Sequence, residues 1–66
     1  MATRIAEVHA YFVRHYSDTG QTKAYCCWRD TRGLLGRTEG EPDSAHMLAL
    51  KARAERENVP VFTETW

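Results

Sequence analysis

The chain has little of what would announce a specialised class of protein. Two cysteines, two prolines and four glycines are spread over 66 residues, and nine Lys and Arg balance nine Asp and Glu. No apolar run approaches the roughly 20 residues of a membrane-spanning helix, so no membrane partner is expected. The opening MATRIAEVHA has no apolar core, which predicts no secretory leader. Cys26 and Cys27 are neighbours, and adjacent residues rarely bridge because the geometry is strained. They form no disulfide framework and predict a reducing, cytoplasmic setting. There is no G-x-G-x-x-G and no P-loop, and Gly33, Gly36 and Gly40 are spaced for turns rather than for a nucleotide cradle.

What is present describes a folded domain. The chain is 42% hydrophobic and 27% charged, with three Tyr, two Trp and two Phe, which excludes a disordered segment. A domain of about 60 residues buries only ~60% of its unfolded surface. Almost every large apolar side chain is therefore needed in the core, and self-association is an open option. The whole chain, residues 1–66, reads as one small domain with no repeat and no linker.

Residues 4–16, RIAEVHAYFVRHY, form the first apolar segment. Ala6, Val8, Ala10 and Phe12 alternate with Glu7, His9 and Tyr11 as in a strand, while Ile5, Val8, Phe12 and Tyr16 also fit a helical stripe. The aromatic and β-branched content favours the strand. Ser17 to Gln21 is a turn in which Gly20 supplies a positive φ. Thr22 to Asp30 is a second strand, and the two read as a hairpin. Asp30-Thr31-Arg32-Gly33 is a second turn. Leu34 to Glu39 is a short third strand in which Gly36 marks a bulge or a close approach. Asp43 or Ser44 is an N-cap for a helix from Ala45 to about Asn58, a stretch without Gly, Pro or β-branched residues. Asn58 serves as its C-terminal cap. Val59 to Trp66 is a last strand, which Pro60 makes either an edge strand or one that pairs only after Pro60. The order β-β-β-α-β predicts an α+β two-layer sandwich, with an antiparallel three-stranded meander, a C-terminal strand and one helix on one face.

The candidate chemistry is thin. His9 and His15 would stand about 20 Å apart on a strand at ~3.3 Å per residue, and Cys-Cys lacks the spacer of a zinc ligand pair, so no metal and no cofactor are expected. Cys26 and Cys27 lie in an aromatic run, where a free cysteine is an inert small hydrophobe, and no orienting partner for a Cys–His nucleophile is visible. Glu39, Glu41 and Asp43 precede the helix, whose dipole attracts acids; capping explains them better than acid–base catalysis. A ribonuclease H-like core would need several metal-binding acids, and Glu7 is the sole acid of the first strand. The chain is expected to be no enzyme.

Charge is uneven despite the zero balance. Residues 1–37 hold Arg4, Arg14, Lys23, Arg29, Arg32 and Arg37 against Glu7, Asp18 and Asp30, and the remainder is acidic by the same margin. Arg29, Arg32 and Arg37 surround the second hairpin beside Trp28, and a sheet with Arg and an aromatic can enter a major groove or stack on bases. The stretch YCCWRDTRGLLGRTEG followed by a helix resembles, over less than half the chain, the small three-stranded DNA-binding domains at the front of phage-type tyrosine recombinases. That resemblance implies nucleic acid as an alternative partner. The chain departs from the pattern in its balanced charge and its last strand.

The leading expectation comes from aromatic surplus. One helix covers one sheet face, and Tyr11, Tyr16, Tyr25, Trp28 and Trp66 exceed what it can shield. The uncovered face is therefore expected to be an association surface for a protein partner or for a second copy in a homodimer. Tyr11, Tyr25, Trp28 and Arg29 are the expected contacts, with Arg14, Arg32 and Arg37 at the rim. Tyr25 and Arg29 fall on one strand face with Cys27 and Trp28 falls on the other with Cys26, so part of this set must be core.

Overall fold

A computed structural model describes residues 4–66. Strands β1 (Ile5–Tyr16), β2 (Gln21–Asp30) and β3 (Leu35–Gly40) are followed by helix α1 (Ala45–Arg56) and strand β4 (Val61–Thr65). The sheet order is β3-β2-β1-β4. The first three strands form an antiparallel meander, and the crossover through α1 lays β4 parallel to β1 at the other edge. This is the expected α+β layout, and residues 5–16 are a strand.

The turns follow their sequences. Gly20 and Gly33 have φ of 72° and 88°, the left-handed region that glycine enters without a Cβ penalty. In the β2–β3 turn the Asp30 carboxylate accepts the N–H groups of Arg32 and Leu34 at 2.8 and 2.9 Å. Those bonds hold its carboxyl below the ordinary value, the Leu34 bond first among the causes.

Helix α1 starts at Ser44, whose Oγ accepts the Met47 N–H at 3.3 Å. Its first turn contains no acid, so Glu39, Glu41 and Asp43 do not cap it as expected. At the other end Val59 N–H donates to Ala54 O and Asn58 N–H to Glu55 O, with Asn58 at φ 56°. This is a Schellman ending, with asparagine in the left-handed place that glycine usually fills.

The core lies between α1 and the sheet: Val8, Tyr11, Ala24, Cys26, Met47, Leu50 and Ala54, flanked by Ile5, Val13, Trp28 and Val59. Two glycines of β3 make room for large neighbours. A Cβ on Gly36 would fall 2.7 Å from Cζ2 of the Trp28 indole, and one on Gly40 would fall 2.9 Å from the Met47 Cγ. Gly36 is thus the close approach anticipated from the sequence. The irregularity of the sheet sits in β1 instead, where the pairing with β2 shifts between Ile5 and Glu7 and again between Val8 and Ala10. The second shift lets Val8 and Tyr11, three residues apart, both face the helix. Strict alternation would have set them on opposite faces.

Candidate interaction surface

The face of the sheet that α1 leaves open carries one ordered array of rings and charges. In β1 the alternation beyond the bulge directs Phe12, Arg14 and Tyr16 to this face. In β2 it directs Lys23, Tyr25, Cys27 and Arg29 there, and the registers add Leu35, Arg37 and Glu39 of β3 and Phe62 and Glu64 of β4. Phe62 stacks on Phe12 with centroids 5.5 Å apart and planes 8° from parallel. Phe12 stacks on Tyr25 at 5.0 Å and 20°. The Arg37 guanidinium lies over the far side of this row, 5.2 Å from the Tyr25 ring. The row crosses all four strands, and cross-strand aromatic pairs of this kind each contribute roughly 0.2–1 kcal/mol.

Arg14 is the centre of a second row. Its guanidinium carbon is 4.0 Å from the Trp66 ring centroid and 5.1 Å from that of Tyr25. It is bonded to Glu64 at 3.2 Å and donates to the Tyr16 hydroxyl at 3.2 Å. The Tyr16 and Tyr25 oxygens are 2.9 Å apart. Their titrations split: Tyr25 is pushed up to about 12 by its bond to Tyr16 and by burial, while Tyr16 is lowered by its bonds to Tyr25 and Arg14. Trp66 is fixed by its backbone, whose N–H donates to His15 O and whose carbonyl accepts the Ser17 N–H, both at 2.8 Å. Beside the tyrosines, an open depression of about 280 Å³ is lined by Lys23, Gln21 and Glu39.

The seven residues singled out from the sequence separate. Tyr11 faces the helix with no exposure and belongs to the core, so it offers no contact to a partner. The cause is the β1 bulge. Trp28 also lies on the helix side, half-buried over Gly36, with its indole N–H donating to Thr38 Oγ1 at 2.8 Å. Tyr25, Arg14, Arg29 and Arg37 do come together on the open face. Tyr25 is buried in its middle, and Arg14 is central and half-buried rather than at the rim. Arg29 is exposed and paired with Glu7 at 2.5 Å. Arg32 stands at the β2–β3 turn, 3.5 Å from Asp30. Sequence reasoning missed Phe12 and Phe62. The signal was available in the even-numbered spacing of Phe12, Arg14 and Tyr16 and of Phe62, Glu64 and Trp66.

The charges of this face are largely matched within the chain. Arg14 pairs with Glu64, Lys23 with Glu39 and Arg29 with Glu7, which leaves Arg37 over its ring. Among the described residues no cluster of three or more His, Cys, Asp and Glu could hold a metal ion. No helix there is long and apolar enough to cross a membrane. No protein family, curated protein or solved structure matches the chain.

Proposed function

We propose that the chain is a non-enzymatic binding module that associates with protein through the open face of its sheet. The observation that carries this reading is the four-strand row Phe62–Phe12–Tyr25–Arg37 on a face that no second layer of the described chain covers. Aromatic rings and arginine are the side chains that dominate protein–protein contacts. Here the rings are already stacked and Arg14 is already bonded, so little side-chain freedom is left to lose on binding.

Nucleic acid remains the alternative partner, and the ion pairs weigh against it. A phosphate-binding face needs surplus cations whose counterions are released. Three of the four basic side chains of this face already have a carboxylate within 3.5 Å.

The test is affinity capture from the native host with the wild-type chain, with Arg29→Glu and Arg37→Glu on the open face, and with Ala52→Glu on the exposed side of the helix. A protein retained by wild type and by Ala52→Glu but lost from both arginine variants supports the reading. Loss from Ala52→Glu alone overturns it. A mobility shift with nucleic acid that collapses between low and moderate salt replaces it with the alternative.

A further inference from the structure

Beyond the open face, the structure points to a specific partner at the sheet edge. We propose that β4 pairs with β4 of a second copy of this chain, antiparallel and centred on Thr63, to make one continuous sheet of two protomers. The hydrogen bonds of β4 define its free side. Pro60 O accepts from Tyr11 N–H, Trp66 N–H donates to His15 O, and Trp66 O accepts from Ser17 N–H. Backbone groups alternate sides along a strand, so Val61, Thr63 and Thr65 direct theirs away from β1. Pro60 belongs to the inward set, and its missing N–H does not interrupt the outward row.

Edges are usually blunted by lysine, proline or bulges, and the two edges of this sheet differ. β3 carries Arg37 and Glu39 between two glycines. β4 has a single charge, Glu64, and that carboxylate is bonded inward to Arg14. Three large apolar side chains are exposed along this edge, Val61 at 38%, Phe62 at 46% and Trp66 at 61%, while β3 exposes Leu35 at 73% beside its charges.

The occupant follows from register. Three two-fold antiparallel registers keep the outward residues bonded, centred on Phe62, Thr63 or Glu64. Centring on Glu64 sets two carboxylates against each other. Centring on Phe62 leaves Thr65 and Trp66 unpaired. Centring on Thr63 pairs all three outward residues with six main-chain hydrogen bonds, as Val61 meets the partner's Thr65 and Thr63 meets the partner's Thr63. On the open face Phe62 then lies opposite the partner's Glu64, and Trp66 lies opposite the partner's Pro60. Each Glu64 brings its own Arg14, so the pair facing a phenyl ring is neutral and no like charges meet uncompensated.

Rings of roughly 150–250 Å² each, taken at the exposures above with the polar edge residues, give about 450 Å² buried per protomer. The total of about 900 Å² lies below the standard range for stable complexes and predicts a weak dimer.

Sedimentation velocity of the purified chain between ~10 µM and ~1 mM tests this. A monomer–dimer equilibrium in that window is expected. Thr63→Lys, which sets two cations opposite each other at an exposed site, should weaken it at least ~10-fold with an unchanged circular dichroism spectrum. Hydrogen-bonded antiparallel partners sit about 5.5 Å apart at Cα, within disulfide reach. Under oxidation Thr63→Cys should therefore form a covalent dimer well above the wild-type background set by Cys26 and Cys27, and Val61→Cys alone should not. A chain that stays monomeric at ~1 mM, a dimer indifferent to Thr63→Lys, or equal cross-linking at both positions overturns the proposal. None of these outcomes bears on capture of a foreign protein by the open face, so the two readings fail separately.

Discussion

Tyr11→Phe removes one oxygen atom from the centre of the protein. Tyr11 is fully buried between β1 and α1, and its hydroxyl has no hydrogen-bond partner among the described residues. Burying a hydroxyl without a partner costs about 1–3 kcal/mol on mutational scales. The ring itself fills the core and is unchanged in the variant, so no cavity term opposes the gain. The expected result is a stabilisation of about 1–2 kcal/mol, a large fraction for a domain of this size. At roughly 4–8 °C of Tm per kcal/mol for small domains, the melting temperature should rise by about 4–16 °C. Urea unfolding followed by circular dichroism is the assay, and the midpoint should move at constant slope, since the surface exposed on unfolding hardly changes. The sign of the pH dependence is also fixed. Desolvation raises the Tyr11 hydroxyl above its ordinary value of 10.0, with Cys26 adding to the shift. Stability linked to a raised group is complete below pH 10 and is lost as pH rises through the folded value. The advantage of the phenylalanine should therefore widen above pH 10, where only the unfolded tyrosine ionises. A variant less stable than wild type by 1 kcal/mol or more would show that the hydroxyl has a partner, and the reasoning would fail.

Four other outcomes follow from the same geometry. Gly36→Ala pushes a methyl into the Trp28 indole and breaks its bond to Thr38; overpacking of this kind costs about 1–3 kcal/mol, read by urea unfolding and by altered Trp fluorescence. Met47→Ala empties the side chain that sits against Gly40 and should cost about 2–5 kcal/mol, while Ala49→Ser on the exposed side of the helix should stay within about 0.5 kcal/mol of wild type. Asn58→Gly relieves a left-handed backbone and should add up to about 1 kcal/mol; a loss would mean that the asparagine side chain matters more than its φ. Asp30→Asn keeps an oxygen for the β2–β3 turn but no charge. The depressed Asp30 group contributes stability that is full above its ordinary value of 3.8 and is lost as pH falls through the folded value. The melting temperature of wild type should therefore fall more steeply than that of the variant below pH 4.

Most of the architecture was legible from local signals. Gly20 and Gly33 announced the two turns, Ser44 the helix start and Asn58 its end, because each depends on chemistry within a few residues. The face assignments were not legible in β1. Nothing in EVHAYF states that the strand takes an extra residue before Ala10, because a bulge is settled by what packs above it, here Leu50 and Ala54 of α1, which share the core with Val8 and Tyr11. Tyr11 and Trp28 were read as contacts because aromatic content was counted without knowing that Gly36 leaves a recess for an indole. Arg14 was placed at the rim because two of its partners, Glu64 and Trp66, arrive from some fifty positions along the chain. The surplus of rings over what one helix can cover was legible, since it needs only the count of layers.

The extra residue in β1 has a consequence for how this chain tolerates change in length. Excising the unpaired position between Val8 and Ala10 would leave Val8 and Tyr11 two residues apart, so plain alternation would keep both beneath α1 and everything beyond the cut on its present side. Flattening the bulge at constant length would instead drive Phe12 and Arg14 beneath α1 and turn Tyr11 and Val13 out to water, or else lose Val8 from the core. The three residues from Val8 to Ala10 thus act as a phase-setter. They are where the loss of one residue is absorbed into a regular strand, while the same loss farther along β1 is not.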